Sequence, residues 1–257
     1  MDSSVDLDVV DGRFAVLLVA VTVAALLYST SGHGGGTAYL ALFGLFGIAP
    51  AAMRPLALVL NVVVAGIGAA RLIRANVMPW RTLGFLLLGS MPGSFVGGLV
   101  QLPATAYRAV LGVLLVLAAA RLFLPASSSG QQRTAPGIVL VVVGLVLGVL
   151  SGLTGIGGGI FLSPILVLFR LEDPKRTAAA ASAFILVNSI SGLVAQATHG
   201  ALSQLPSTLP LLLVVVGVGG LFGSWLVARR LSPRGLRTAL GVVLTVSGLR
   251  LLYEAIA

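Results

Sequence analysis

The feature that most limits the fold of this chain is a succession of apolar runs that fills it from end to end. Ten runs stand out, at 13–30, 38–48, 53–74, 82–100, 105–124, 137–153, 161–169, 177–198, 209–228 and 236–256. About 20 apolar residues in a helix cross a bilayer core of about 30 Å. Charged residues make up 9% of the 257-residue chain, against about 25% in soluble domains. The alternation of apolar and polar residues typical of membrane β-barrels is missing. The sequence therefore predicts an all-α integral membrane protein.

Two glycine-rich turns interrupt these runs, SGHGGGT at 31–37 and TGIGGGI at 154–160. Glycine permits a positive φ and lets other groups approach the backbone, and each glycine costs a helix about 1 kcal/mol relative to alanine. The run after each turn has only about 10–13 residues, which is half to two-thirds of the membrane core. We therefore expect both turns to lie within the membrane. Backbone at that depth must be buried in protein or line a wet cavity.

A helix that starts at such a turn presents unpaired N–H groups and the positive end of its dipole. The turns therefore predict an anion site built largely from backbone. Its candidate substrate-binding residues are Gly32, His33, Gly34, Gly35, Gly36, Thr37, Thr154, Gly155, Gly157, Gly158 and Gly159. Close helix packing through small residues is the alternative. We assign that packing role to Gly84, Gly89, Gly93, Gly97, Gly98, Gly217, Gly219, Gly220 and Gly223.

The chain contains an internal duplication. Residues 107–124 align with 236–253, with identity at seven of these positions, and Asn61 falls on Asn188 at the same offset that places Pro79 on Pro206. The predicted organisation is an acidic tail (1–12), a first transmembrane repeat (13–124), a polar linker (125–136) and a second transmembrane repeat (137–257).

The distribution of basic residues predicts how the repeats are oriented. Each repeat has five apolar elements, and the first two form a glycine-tipped hairpin, either crossing or re-entrant, which gives 8–10 membrane segments. With the acidic tail outside, all 16 basic residues lie inside except Arg13, Arg54, Arg108 and Arg250, as the positive-inside rule favours. An odd number of crossings per repeat makes the two repeats inverted relative to each other, a common transporter plan.

Polar residues within the runs are further candidates. Asn61 lies about 12 Å into its run, near the midplane, and Asn188 is its predicted counterpart. A polar amide there is expensive unless satisfied, so each is interpreted as a substrate ligand, a brace for a turn or an interhelical hydrogen bond. His33 could donate to an anion or carry a proton, or it could be a neutral hydrogen-bonded residue. Gln196 is interpreted as packing and His199 as a solvated loop residue.

Several classes of function are disfavoured. With no cysteine, two histidines and no acidic residue in any apolar run except Glu254 near the end of the last one, we expect no metal, no cofactor and no carboxylate relay. Catalytic pairs of the kind that intramembrane enzymes need are missing. The net charge of +9 resides in the breaks between runs, not on a basic face for nucleic acid. The expected partners are a small anion and the lipid bilayer, and a homo-oligomer is left open.

The chain resembles the sulfite exporter TauE/SafE family over about 14–256. The resemblance rests on the repeated small-Gly-x-Gly-Gly-Gly turn, the proline five residues after the second triplet (Pro164), the polar span that follows and the duplication. It implies movement of sulfite, sulfoacetate or related small anions across the bacterial cytoplasmic membrane. It also implies site roles for the turn glycines and a structural role for Pro164, although Ala41 replaces this proline in the first repeat. We therefore expect a multi-pass secondary transporter with alternating access; an anion channel and a membrane enzyme are the alternatives.

Overall fold

The computed structural model describes residues 11–30, 32–123, 132–226 and 233–256. Most of the predicted acidic tail, linker residues 125–131, and Arg229 and Arg230 of the orientation prediction lie outside these ranges. The described chain forms ten α-helices and one short 3₁₀ helix. The α-helices are α1 (Gly12–Thr30), α2 (Gly36–Leu45), α3 (Pro50–Arg74), α4 (Trp80–Leu99), α5 (Ala104–Phe123), α6 (Gly137–Thr154), α7 (Gly159–Leu168), α8 (Pro174–Ala197), α9 (Leu209–Leu226) and α10 (Pro233–Ile256).

Some of the helices are long enough to cross a membrane, and others are too short. Among the described residues, six helices are long and apolar enough to cross a membrane, namely α1, α3, α4, α5, α6 and α8. In contrast, α2 and α7 have ten residues each, a length of about 15 Å. This confirms the prediction of an all-α membrane protein with two short helices that directly follow the glycine turns.

Equivalent helices of the two halves of the chain make equivalent packing contacts. The fourth helix of each half packs along the first helix of the other half, as α4 on α6 and α9 on α1. The third helices, α3 and α8, pack on each other, and so do the fifth helices, α5 and α10. Exchanging the halves therefore reproduces the main contacts, as expected for a duplicated chain.

Contacts between equivalent helices show their direction and register. A methyl group placed on Gly68 of α3 would lie 3.1 Å from Ser182 of α8, and one on Gly192 would lie 3.3 Å from Leu58. The two contacts are equivalent, because Gly68 and Leu58 of the first half correspond to Gly192 and Ser182 of the second. The residue number rises along α8 as it falls along α3, so the two helices are antiparallel. An inverted repeat has this geometry; inversion across a membrane stays a prediction.

The same register corrects one sequence match. Because Gly68 corresponds to Gly192, Asn61 corresponds to Ile185 and not to Asn188, which lies three residues further along α8. The alignment of α5 with α10 is confirmed, since Gly112 meets Leu252 where its counterpart Gly241 meets Phe123.

Small residues bring α4 and α6 into backbone contact. A methyl group on Gly93 would lie 2.6 Å from the carbonyl oxygen of Leu145 and 3.1 Å from the amide nitrogen of Val149. Gly89 and Gly97 also face the α6 backbone, which confirms their predicted packing role. The prediction is wrong for Gly84, which has nothing within 4 Å of that position.

Candidate functional site

Each short helix starts directly after a glycine in the left-handed region. Gly35 precedes α2 with a φ of 95° and Gly158 precedes α7 with a φ of 76°. Residues with a side chain are strained there. Neither N-cap supplies a side-chain hydrogen bond. Capping side chains usually satisfy N–H groups in the first turn of a helix, and the glycine at each of these N-caps has no side chain to do so.

The two glycine turns meet at one place, on side chains from α3 and α8. A methyl group on Gly34 would lie 2.8 Å from Oδ1 of Asn61 and 2.9 Å from Cγ2 of Ile185. One on Gly157 would lie 2.9 Å from Cγ2 of Ile185 and 3.1 Å from Nδ2 of Asn61. Gly36 of the first turn packs directly against the carbonyl oxygen of Ile156 in the second. The glycines thus allow a contact that any side chain would prevent.

Asn61 is the polar group at this meeting point. It is completely buried, and its Nδ2 donates long hydrogen bonds to the carbonyl oxygens of Gly155 (3.3 Å) and Ile156 (3.4 Å). Within the part of the chain that the structure describes, its Oδ1 has no hydrogen-bond partner. The amide therefore braces the second turn from α3, which is one of the roles that the sequence left open for it.

Other predicted site residues hold the turns to the surrounding helices. Thr37 shares a 2.8 Å hydrogen bond with Tyr28 of α1. The carbonyl oxygen of Thr154 accepts a 2.9 Å hydrogen bond from the hydroxyl of Tyr107. Ser182 of α8 donates to the carbonyl oxygen of Gly32. Hydroxyl groups from α1 and α8 therefore hold the first turn, and one from α5 holds the second.

His33 connects the first turn to the second short helix. Its Nε2 lies 2.8 Å from the hydroxyl oxygen of Ser163 in α7, and its ring meets that of Tyr28 edge-on, with centroids 6.4 Å apart. Ser163 directly precedes Pro164 within α7. Sequence reasoning did not select Ser163, although it stands inside the motif that contains Pro164.

Asn188 lies apart from the meeting point. It is fully buried, and neither Oδ1 nor Nδ2 has a hydrogen-bond partner among the described residues. Its backbone carbonyl oxygen accepts a 2.7 Å hydrogen bond from the Ser94 hydroxyl. Buried hydroxyls without a partner also occur on α4, α6 and α8, at Ser90, Ser151 and Ser189. Since these three helices pack together, we call the four residues with unpartnered side chains (Ser90, Ser151, Asn188, Ser189) the polar seam.

Within the described residues, two cavities lie at opposite ends of α4 and α8. The Arg54 cavity, of about 460 Å³, is lined by Ala51, Arg54, Gln101, Tyr107, Gln196 and His199 among others. The Arg133 cavity, of about 200 Å³, is lined by Arg81, Thr82, Arg133, Glu172 and Arg176 among others. Neither lining includes a glycine of the two turns. The helix α4, about 30 Å long, separates the two cavities.

The cavities divide the basic residues as the orientation prediction does. Arg81, Arg133 and Arg176, all predicted to lie inside, share one cavity. At the other end, Glu254 pairs with Arg108 and Arg250, both predicted to lie outside. Glu172 in the Arg133 cavity accepts a hydrogen bond from Thr82 (2.6 Å) and pairs with Arg176 (3.0 Å).

Comparison with known proteins agrees with this architecture. The chain is 36% identical over 243 residues to "probable membrane transporter protein y4hK" of Sinorhizobium fredii (strain NBRC 101917 / NGR234), covering 92% of this chain and 97% of that protein. It is 28% identical over 257 residues to "probable membrane transporter protein YjnA" of Bacillus subtilis (strain 168), covering 93% and 99%. It is also 25% identical over 207 residues to "probable membrane transporter protein YunE" of the same organism, covering 72% and 74%.

These names indicate membrane transport and not catalysis. No solved structure matches the chain significantly. The family model described as "Sulfite exporter TauE/SafE" matches residues 17–251, which include both glycine turns and the helices that hold them. The chain is therefore a multi-pass membrane transporter that belongs to the sulfite exporter TauE/SafE family.

Proposed function

We propose that this chain is a secondary transporter that moves a small anion across the cytoplasmic membrane by alternating access. Sulfite, an organosulfonate or a related organosulfur or organic anion is the substrate. The substrate binds where the two glycine turns meet on Asn61, between the starts of α2 and α7. Helix starts favour anions because their N–H groups and dipoles carry partial positive charge.

The meeting of the two turns on one amide is the observation that carries this proposal. Asn61 donates to the second turn and leaves Oδ1 unpartnered beside Gly34 of the first. Both short helices begin there without a side-chain cap. A shift of either short helix would change both turns, because Gly36 packs on Ile156. Binding and a change of access can therefore be coupled at this point.

The cavities and the polar seam supply the rest of the path. The Arg54 cavity and the Arg133 cavity lie at opposite ends of α4 and α8, and the seam residues are on α4, α6 and α8 between them. Buried polar groups without partners are uncommon in folded proteins. In an anion path they would bind the substrate or its water as it passes, which is the role we propose for Asn188.

The lipid bilayer is the proposed partner of the outer surface. Large apolar side chains are exposed on the long helices, including Leu88 (67%), Ile138 (69%) and Val214 (61%). Contiguous apolar surface of this kind is rare on soluble proteins. The bias of basic residues towards one end is what the cytoplasmic side of such a protein shows.

Flux into proteoliposomes tests the function. The purified chain is reconstituted, and uptake of sulfite, sulfoacetate, thiosulfate, taurine and simple carboxylates is followed against liposomes without protein. A carrier gives flux that saturates with at least one anion and that other anions inhibit. Single-channel currents would identify a channel instead, and no flux of any anion in either direction would refute anion transport.

A further inference from the structure

The Arg54 cavity contains a buried cation that has no acidic partner among the described residues. Arg54 is only 9% exposed. Its Nη1 donates to the carbonyl oxygen of Val100 (2.9 Å), and its Nη2 donates to those of Gly97 (2.9 Å) and Gly98 (2.6 Å). These carbonyls end α4, so the guanidinium caps that helix. They are neutral, however, and none of the residues that line the cavity within the described chain is acidic.

Two donors at the wall of this cavity remain unused. Nε of Arg54 and Nε2 of Gln196 are both buried without a hydrogen-bond partner, and both side chains line the cavity. Gln196 is only 4% exposed. A buried charge is costly unless it is compensated, and an N–H group left unpaired adds to that cost. An oxyanion would satisfy both requirements, because it brings negative charge and several acceptor oxygens.

The cavity also adjoins the second glycine turn. A methyl group on Gly155 would lie 3.0 Å from the carbonyl oxygen of Arg54. Tyr107, which lines the cavity, donates to the carbonyl oxygen of Thr154. The volume of about 460 Å³ falls in the range of small-molecule sites.

We propose that the Arg54 cavity is a second anion-binding site, in which Arg54 and Gln196 hold a sulfonate or similar oxyanion next to the second glycine turn. His199, exposed at the lining of the same cavity, adds a further polar group. The assignment of the site depends only on the charge and donors of this cavity. A further role of this cavity, as the place from which the anion moves to the second glycine turn, rests on the proposed function.

A single engineered cysteine can measure the charge of this cavity. The chain has no natural cysteine, and Ala51 is an exposed residue of the lining. Ala51→Cys is labelled in detergent with two reagents, the anionic 2-sulfonatoethyl methanethiosulfonate and the cationic 2-(trimethylammonium)ethyl methanethiosulfonate. The labelling rate of the anionic reagent is divided by that of the cationic reagent, and this ratio is compared with the same ratio for a free thiol. A unit charge about 8 Å away at an effective dielectric constant of about 40 changes each rate by about fivefold.

Because the two reagents carry opposite charges, their rates change in opposite directions, and the rate of the sulfonate reagent divided by that of the ammonium reagent should exceed the free-thiol value by about 25-fold. Arg54→Gln removes this excess. Methanesulfonate, which does not react with thiols, should slow labelling by the sulfonate reagent in a saturable way at constant ionic strength, because it occupies the site and offsets the charge of Arg54. Gln196→Leu retains the charge, so it should leave the ratio unchanged while weakening this protection by about tenfold, as loss of a hydrogen bond to a charged group does.

Three results would overturn the site: a ratio like that of the free thiol, no protection by methanesulfonate, or protection that Gln196→Leu leaves unchanged. If Arg54→Gln fails to fold because α4 loses its cap, the first two readouts on Ala51→Cys alone still decide. Adding Asn61→Asp separates the two sites. Protection that survives this change belongs to the Arg54 cavity, whereas protection that disappears belongs to the meeting point of the turns and refutes the second site without touching the proposed function.

Discussion

At the scale of single residues, the two halves of the site have the same shape and different chemistry. His33 of the first turn corresponds to Ile156 of the second, and Asn61 corresponds to Ile185. In both cases the polar member belongs to the first repeat and the apolar member to the second. Both repeats therefore contribute a glycine turn to the site, while the first repeat alone contributes the polar side chains His33 and Asn61 at these positions.

The two buried asparagines are expected to differ in their effect on stability. Asn61→Leu leaves the carbonyl oxygens of Gly155 and Ile156 without their donor and should lower the free energy of unfolding by about 1 kcal/mol, since these bonds are long. Asn188→Leu removes an amide that has no side-chain partner and should leave stability unchanged or raise it. Thermal unfolding in detergent measures both, and equal losses would contradict the assigned roles.

The sequence was sufficient to select the turns and Asn61, because glycine triplets and a deep amide stand out within apolar runs. It could not select Ser163, Tyr107 or Ile185 as their neighbours. His33 and Ser163 are 130 residues apart in the chain, and no local pattern encodes a contact between such distant segments. A serine and an isoleucine within apolar runs are also too common to attract attention.

At the scale of helices, backbone contact at glycine sets the register. Gly68 and Gly192 mark where α3 and α8 touch, so they carry the alignment of these helices. The sequence match of Asn61 with Asn188 relied on two isolated identities and missed this register by three residues. The match of α5 with α10 rested on many identities, including Gly112 with Gly241, and was confirmed.

The contact between α4 and α6 predicts opposite effects for two similar substitutions. Gly93→Ala forces a methyl group against the backbone of Leu145 and should destabilise the protein by about 1–3 kcal/mol, as overpacking does. Gly84→Ala, on the same helix, meets nothing within 4 Å and should gain up to about 1 kcal/mol of helix propensity. The midpoints of thermal unfolding should move in opposite directions; a loss of stability in both variants would argue against this packing.

At the scale of the whole molecule, three of the four exceptions to the basic-residue bias have structural explanations. Of the four basic residues predicted to lie outside, Arg54 caps α4, and Arg108 and Arg250 pair with Glu254. Arg250 also donates to the carbonyl oxygen of Leu45 at the end of α2. The predicted orientation of the chain in the membrane therefore rests on the distribution of the other basic residues.

The two ends of α8 test this orientation directly. Ser203 follows α8 and Lys175 stands at its start, and both residues are exposed. In intact cells, a membrane-impermeant thiol reagent should label Ser203→Cys and should label Lys175→Cys only after permeabilisation. The reverse pattern would invert the orientation, and labelling of both from outside would show that α8 does not cross the membrane.

The proposed site requires that an anion binds where the two glycine turns meet on Asn61. Its most direct measurement is the affinity of the purified chain and of Asn61→Asp for sulfite, sulfoacetate, thiosulfate and simple carboxylates, read from thermal stabilisation, which follows RT ln(1 + [L]/Kd). The substitution changes few atoms, and measurement at alkaline pH keeps the buried carboxyl ionised. Repulsion between this charge and an anion about 5 Å away should weaken binding at least about tenfold. We predict that the unaltered chain is stabilised by at least one of these anions and that Asn61→Asp, still folded, loses that response. Equal stabilisation of the two proteins, or no response of the unaltered chain to any of the anions, would contradict the account.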